Sequence, residues 1–387
     1  MFDVSRLFNH PTRTGDYIGN LAVPDQVSDA LKDAKDKIID HLSSVLPSYT
    51  LDKFGEAVRP RFLTQGSQKY GTCNGPCWDP PQEVDYDLGV YFPVTLWTDN
   101  DTGPKRAAIE YFAAMEHLLA PLLVENSWSF PAEQPKKCVR ISISGHSAHI
   151  DLPLYAAPEK EFQTIVEKSM AQFADARLKR LAEAALSEKE WMALSKIALA
   201  QRDGKWLASD PRQINKWFAE EKAIRDDADS KQLVRICRFL KGWRDHNWRN
   251  GDGPSSILLM VIVCQDLDHK LGRDDLALLE LTKSLPERLL GSVLEPRIGK
   301  EEFNRMSVSD REVASDMAKA LYRALHSAIR DRKPGEQEAA VLDLKEVFGD
   351  RIPAQPEWVV LAASREAVRA TSATVVAQPV VRPTHAA

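Results

Sequence analysis

The sequence predicts an α+β fold: a mixed sheet with helices, followed by a lobe that is mostly helix bundle. Strand-like runs of alternating, β-branched and aromatic residues cluster before residue 158. From Glu159 onward nearly everything carries helical period, broken at Asp203-Gly204, Asn250 to Pro254, Gly272 and Pro296. With 387 residues, 43% of them hydrophobic, the chain is long enough for two or three lobes, each with a core.

The elements follow in order. Pro24 to Leu46 places Val27, Leu31, Ala34, Ile38, Leu42 and Val45 at three- and four-residue steps, which is an amphipathic helix. "RPRFLTQGS" and "EVDYDLGVYFPV" read as strands, and a helix from about Lys105 to Val124 turns Ile109, Phe112, Met115 and Leu119 to one face. "KCVRISIS" and "SAHIDLPLYA" read as two further strands joined in a hairpin at Gly145-His146. In the second lobe, "SDPRQINKWF" marks a helix start, with Asp210 as N-cap and Pro211 at the first helical position, where its missing N–H costs nothing. The expected division is a sheet-bearing core with an N-terminal spine helix over 1–158, a helical lobe over 159–362, and a flexible tail over 363–387 that is small, Pro-containing and without period.

Composition excludes some classes. A net charge of −5 argues against long nucleic acid as an obligate partner. The longest apolar run, "SSILLMVIVCQDL", falls short of the ~20 residues a membrane span needs, and the start lacks the pattern of a signal peptide, so a cytoplasmic protein is expected. Five scattered cysteines suit reduced thiols. Cys73 and Cys77 are half of a zinc pattern that His146 and His149 would complete in space.

The chemistry concentrates in "TQGSQKYGTCNGPCWDPPQEVDYDLGVYF". Residues two apart on a strand project from one face, about 6.5 to 7 Å apart, so Asp85 and Asp87 aim at one spot while Tyr86, Leu88, Val90 and Phe92 make the other face apolar. Two carboxylates so close in a partly dry cleft repel each other unless a cation or a proton intervenes. Mg²⁺, which takes carboxylate and phosphate oxygens, is the simplest resolution, and Asp151 in "HIDLPLYA" could add a third carboxylate from a neighbouring strand. Two metals about 3.5–4 Å apart suit an in-line phosphoryl displacement. Taken alone, D-x-D fits a solvent-exposed strand face equally well. Upstream, Gly66-Ser67 gives a turn whose backbone can approach a phosphate.

Strand, Gly-Ser turn, D-x-D and a third strand Asp together resemble the polymerase-β-like nucleotidyltransferases. The blocks "QGSQKYGT", "EVDYDLGVYFP", "HIDLPLYA", "SDPRQINKWF", "LKGWRD" and "PSSILLMVIV" are similar to those of the bacterial cGAS/DncV-like nucleotidyltransferases, from about residue 25 to about residue 350. The resemblance implies a polymerase-β-like core and synthesis of a cyclic di- or trinucleotide second messenger from NTPs, ATP among them, in anti-phage defence. It implies that Asp85, Asp87 and Asp151 hold two Mg²⁺ ions, with Mn²⁺ as a substitute, and that Asp151 assists deprotonation of the attacking hydroxyl. Gln65, Gly66 and Ser67 would contact the donor nucleotide, Arg140 matches a basic position, and Lys241 and Ser255 match contacts to the triphosphate tail. Ser255 equally suits a helix N-cap.

Trp217, Trp243 and Trp248 could stack on bases, but aromatics at helical spacing are more often core. "CNGPCWDPPQ" departs from the family pattern and reads as a passive surface loop. The family also implies accessory proteins, including a ubiquitin-transfer-like enzyme for which a tail ending in Ala386-Ala387 would be a substrate. A linear nucleotidyltransferase acting on RNA or protein, or a catalytically silent nucleotide-binding scaffold, would carry much of the same pattern.

Overall fold

A computed structural model describes residues 1–55, 57–94, 107–158, 197–297 and 301–362. The helical period expected over 159–196 and the tail beyond 363 lie outside the described residues.

The chain opens with β1 (Phe2–Asp3), α1 (Ser5–Phe8) and α2 (Tyr17–Asn20), then runs into the spine helix α3 (Asp25–Phe54). α3 outlasts the expected stop at Leu46. Pro47 removes one amide donor, but the Thr50 hydroxyl donates back to the Leu46 and Pro47 carbonyls and accepts from the Val58 amide, so the next turn holds. Gly55 at φ 73° ends the helix in the left-handed region.

β2 (Arg61–Thr64), α4 (Gly66–Tyr70), β3 (Val84–Val94), α5 (Ala108–Asn126), β4 (Cys138–Ser142) and β5 (Ala148–Pro158) follow. β2 and β3 are antiparallel, β3 and β5 parallel, β4 and β5 antiparallel. The parallel pair needs a crossover, and α5 lies within it. Tyr86, Leu88, Val90 and Phe92 are buried with Leu31, Ile38 and Leu42 of α3 and Phe112, Met115 and Leu119 of α5. Ile109, expected on that face, is 53% exposed, and Ala108 and Tyr111 are buried in its place.

Two short strands correct the expectation of helix throughout the second half. β6 (Ala198–Ala200) and β7 (Trp206–Ala208) form a hairpin around Asp203-Gly204, and β6 pairs with the far half of β5. Three-residue strands leave no measurable period. The sheet thus has six strands among the described residues, in the order β2-β3-β5-β6-β7 with β4 also on β5.

The helical lobe comprises α6 (Pro211–Ala223), α7 (Asp227–Asn247), α8 (Ser256–Asp266), α9 (Asp274–Leu290), α10 (Val308–His326) and α11 (Gln337–Phe348), with β8 (Val360–Leu361) beyond. α8 is buried at every position from Leu258 to Cys264, as a helix apolar all round must be. Phe2, Val4, Leu7, Phe8, Tyr17 and Leu21, although first in the chain, pack in this helical core. β1 pairs with β8, and the buried Asp275 carboxylate accepts from the Ser5 hydroxyl, the Val4 amide and Arg273. Asp275→Ala leaves those donors unpaired at the base of the lobe, and urea unfolding should show a loss of about 3 kcal/mol. A loss under about 1 kcal/mol would mean the amino-terminal segment is held by packing alone.

Candidate active site

The register of β3 against β5 builds the site. Asp85 stands opposite His149, and Asp87 opposite Asp151. Because both strands alternate in step, the four side chains share one face of the sheet. Farther along that face Tyr91 stands opposite Tyr155, their rings stacked at 4.7 Å.

Asp151 is buried, and Arg140, opposite it on β4, donates from Nε to Oδ1 and from Nη2 to Oδ2, both at 2.7 Å. A carboxylate has about four lone-pair directions, so this fork leaves Asp151 able to accept further. His149 Nδ1 donates to Glu83 Oε2 at 2.6 Å, and its Nε2 lies 3.2 Å from Asp85 Oδ1 without hydrogen-bond alignment. Burial disfavours the imidazolium, but Asp85 outweighs it and raises the His149 pKa. Burial, then the charges of Asp85 and Asp151, push the Asp87 carboxyl from its ordinary 3.8 up to about 8.

These features fit a divalent cation. Asp85, His149 and Asp151 each offer a ligand atom within 4.8 Å of the others, the one such group among the described residues. Asp85 Oδ1 and His149 Nε2 are buried atoms with no hydrogen-bond partner, and positive charge arriving beside Asp87 would favour its ionised form. Cys73 and Cys77 join no such group, so the zinc pattern finds no support.

α4 begins immediately beside Asp87. Gly66 has φ +61°, and a Cβ there would stand 1.9 Å from Asp87 Oδ2. Only glycine lets the turn pass so close to the carboxylate. The Gln65 amide N–H donates to the Asp87 carbonyl, and its buried side chain donates to the Tyr91 hydroxyl and accepts from the Tyr155 hydroxyl. Gly89 leaves room for it, since a Cβ there would lie 2.1 Å from Gln65 Nε2.

A cavity of about 970 Å³ opens above the acidic face, between the sheet and the helical lobe. Asp85, Asp87, Gly66, Ser67, Lys241 and Ser255 all line it. Lys241 is buried, its Nζ donates to the Thr72 carbonyl at 2.6 Å, and burial followed by repulsion from Arg244 lowers its pKa. The Ser255 hydroxyl accepts from the Leu258 amide as N-cap of α8.

The segment read as a passive surface loop is neither passive nor peripheral. Asn74 donates to the Arg238 carbonyl, Trp78 Nε1 to that of His246, and Gln82 Nε2 to that of Asp245 at 2.7 Å. Residues 72–82 therefore bind the acidic strand to α7 and wall one side of the cavity. Its hydrogen bonds go to a helix more than 160 positions away, which composition cannot reveal.

The nucleotidyltransferase domain of cyclic GMP-AMP synthase DncV-like proteins matches residues 60–155, and the cyclic GMP-AMP synthase C-terminal domain matches 230–360. A cyclic GMP-AMP synthase of Escherichia coli is 33% identical over 312 residues, which is 76% of this chain and 68% of that protein. The chain belongs to the cGAS/DncV-like nucleotidyltransferases. A cyclic GMP-AMP synthase of Vibrio cholerae is 37% identical over 221 residues, and that match spans 54% of this chain and about half, 48%, of the relative. The structure of a mutant Vibrio cholerae di-nucleotide cyclase (DncV) in complex with ATP, GTP and 5MTHFGLU2 superimposes with a TM-score of 0.74 at 25% identity, covering 94% of this chain and 100% of that one.

Within this nucleotidyltransferase fold, the residues expected from sequence do not all meet the cavity. Gln65 is spent on Tyr91 and Tyr155, farther along the same face as the aspartates, and Arg140 and Asp151 are not among the residues that line the cavity. Trp217 and Trp243 are core residues, whereas Trp248 lines the cavity, edge-on to Trp243. His149 and Glu83 gained no role beside the aspartates from sequence, yet "HID" carries the same two-residue alternation as "DYD" and could have been read the same way.

Two outcomes follow. Gly66→Ala should weaken divalent-ion binding, measured by calorimetry, about tenfold or more, through its collision with Asp87. The raised Asp87 pKa means the metal-free folded state holds a proton that the unfolded state releases, so this group costs stability increasingly as pH rises from about 4 to about 8. Asp87→Asn, which mimics the protonated form, should raise the metal-free Tm at pH 8.5, with the gain shrinking toward pH 4.

Proposed function

We propose that the protein is a metal-dependent nucleotidyltransferase that joins NTPs into a cyclic dinucleotide. The observation that carries this reading is the convergence of Asp85, Asp87 and Asp151 on one face of a parallel strand pair, beside a glycine turn and beneath a cavity large enough for nucleotides. Bound Mg²⁺, two ions with Mn²⁺ as a substitute, would supply charge neutralisation at the triphosphate and activation of the attacking hydroxyl. Asp85, Asp87 and Asp151 would hold it, with Arg140 fixing the orientation of Asp151. The Gly66 turn would admit the phosphates closely, Ser67 would donate its hydroxyl, and Lys241 and Ser255 would meet the triphosphate tail from the helical lobe.

Relatives named cyclic GMP-AMP synthases and a neighbour holding ATP and GTP favour those two nucleotides and a two-base ring over a trinucleotide. The family resemblance of the sequence blocks further implies a signalling role in anti-phage defence, with accessory proteins acting on the carboxy-terminal tail. The sheet-bearing and helical parts would act as two lobes closing on substrate.

Incubating the protein with the four NTPs and Mg²⁺ or Mn²⁺ should give a phosphatase-resistant product whose mass identifies a cyclic dinucleotide. Asp85→Ala should cut turnover by about 10³-fold or more. A phosphatase-sensitive product would instead indicate a linear transferase. Nucleotide binding without any turnover would indicate a silent scaffold.

A further inference from the structure

We propose that His149 is itself a ligand in the metal site, oriented by Glu83, so that the Asp85 end of the cleft favours a transition-metal divalent ion over Mg²⁺. The inference rests on the metal-dependent reading above, and concerns which atoms of this chain meet the ion.

His149 is only 6% exposed, and its ring is fixed from behind by Glu83 Oε2, 2.6 Å from Nδ1. An ionised carboxylate can only accept, so Nδ1 carries a hydrogen, which leaves Nε2, on the side of the ring facing Asp85, as the nitrogen that meets an ion when the ion takes the place of its proton. There it faces Oδ1 at 3.2 Å, and neither atom has a hydrogen-bond partner. Two ligand atoms each bound at about 2.1 Å at a right angle around one ion stand about 3 Å apart, close to this separation. Asp151 supplies a third atom within 4.8 Å of both. A carboxylate behind a histidine ring, with the opposite nitrogen aimed into a cluster of acidic groups, is the arrangement that sets tautomer and ring orientation in metal sites. Imidazole nitrogen ligates transition ions far better than Mg²⁺, which prefers oxygen.

The test uses the full chain without nucleotide and MnCl₂ as probe. Pulsed electron paramagnetic resonance of the bound Mn²⁺ should show coupling to a ¹⁴N nucleus, and Mg²⁺ should displace it only at large excess. In His149→Ala the nitrogen coupling should vanish and Mn²⁺ affinity fall about 10- to 100-fold, while Mg²⁺ affinity stays within about threefold. Glu83→Gln, a gentler change at a half-exposed residue, should lower Mn²⁺ affinity about tenfold and spare the fold. Bound Mn²⁺ without nitrogen coupling in the wild type would overturn the proposal and reduce His149 to an ion-pair partner of Asp85, with the transferase reading intact. No Mn²⁺ or Mg²⁺ binding at all would overturn both.

Discussion

The structure turns on one unfavourable interaction, the mutual repulsion of three carboxylates brought together by the parallel register of β3 and β5. Asp87 opposite Asp151, with Asp85 one alternation away, is an arrangement a folded protein tolerates only with compensation. The compensation is visible on every side. Arg140 forks onto Asp151, His149 approaches Asp85, and Asp87 keeps a proton to well above its ordinary range. A site that already accommodates stray negative charge in three different ways is one prepared to exchange part of that accommodation for a cation.

The surroundings hold that face open toward the second lobe. α3 and α5 pack the opposite face of the sheet, so the acidic face cannot turn inward. The Gln65 side chain, locked between Tyr91 and Tyr155, anchors the start of α4 and so sets Gly66 against Asp87. Residues 72–82 then cross to α7, where Thr72 meets Lys241 and Gln82 meets the Asp245 carbonyl. Strand, turn and helical lobe are thereby joined by a short chain of hydrogen bonds around the cavity.

Much of this was legible in the sequence wherever a single local rule decided the matter. Two-residue alternation placed Asp85 and Asp87 together, three- and four-residue steps found α3 and α5, and Asp210-Pro211 marked the start of α6. What escaped depended on partners far along the chain or on one residue of pitch. β6 and β7 are too short to show alternation, and the second face of β3 fits solvent as well as it fits a site until Tyr91 is seen buried under Gln65. Gln65 itself sits at a strand-to-helix junction, where strand alternation no longer says which way a side chain points. The Cys- and Pro-rich segment had surface composition, but its hydrogen bonds are to main-chain carbonyls of α7.

One sheet face concentrates carboxylates at a place where divalent ions would bind. Anomalous diffraction from crystals soaked in Mn²⁺ with a non-hydrolysable NTP tests it directly. Strong peaks are expected in contact with Asp85 and Asp151 and facing the triphosphate. Peaks confined to other surfaces, with the Asp85 and Asp151 carboxylates bound only by Arg140 and His149, would contradict it.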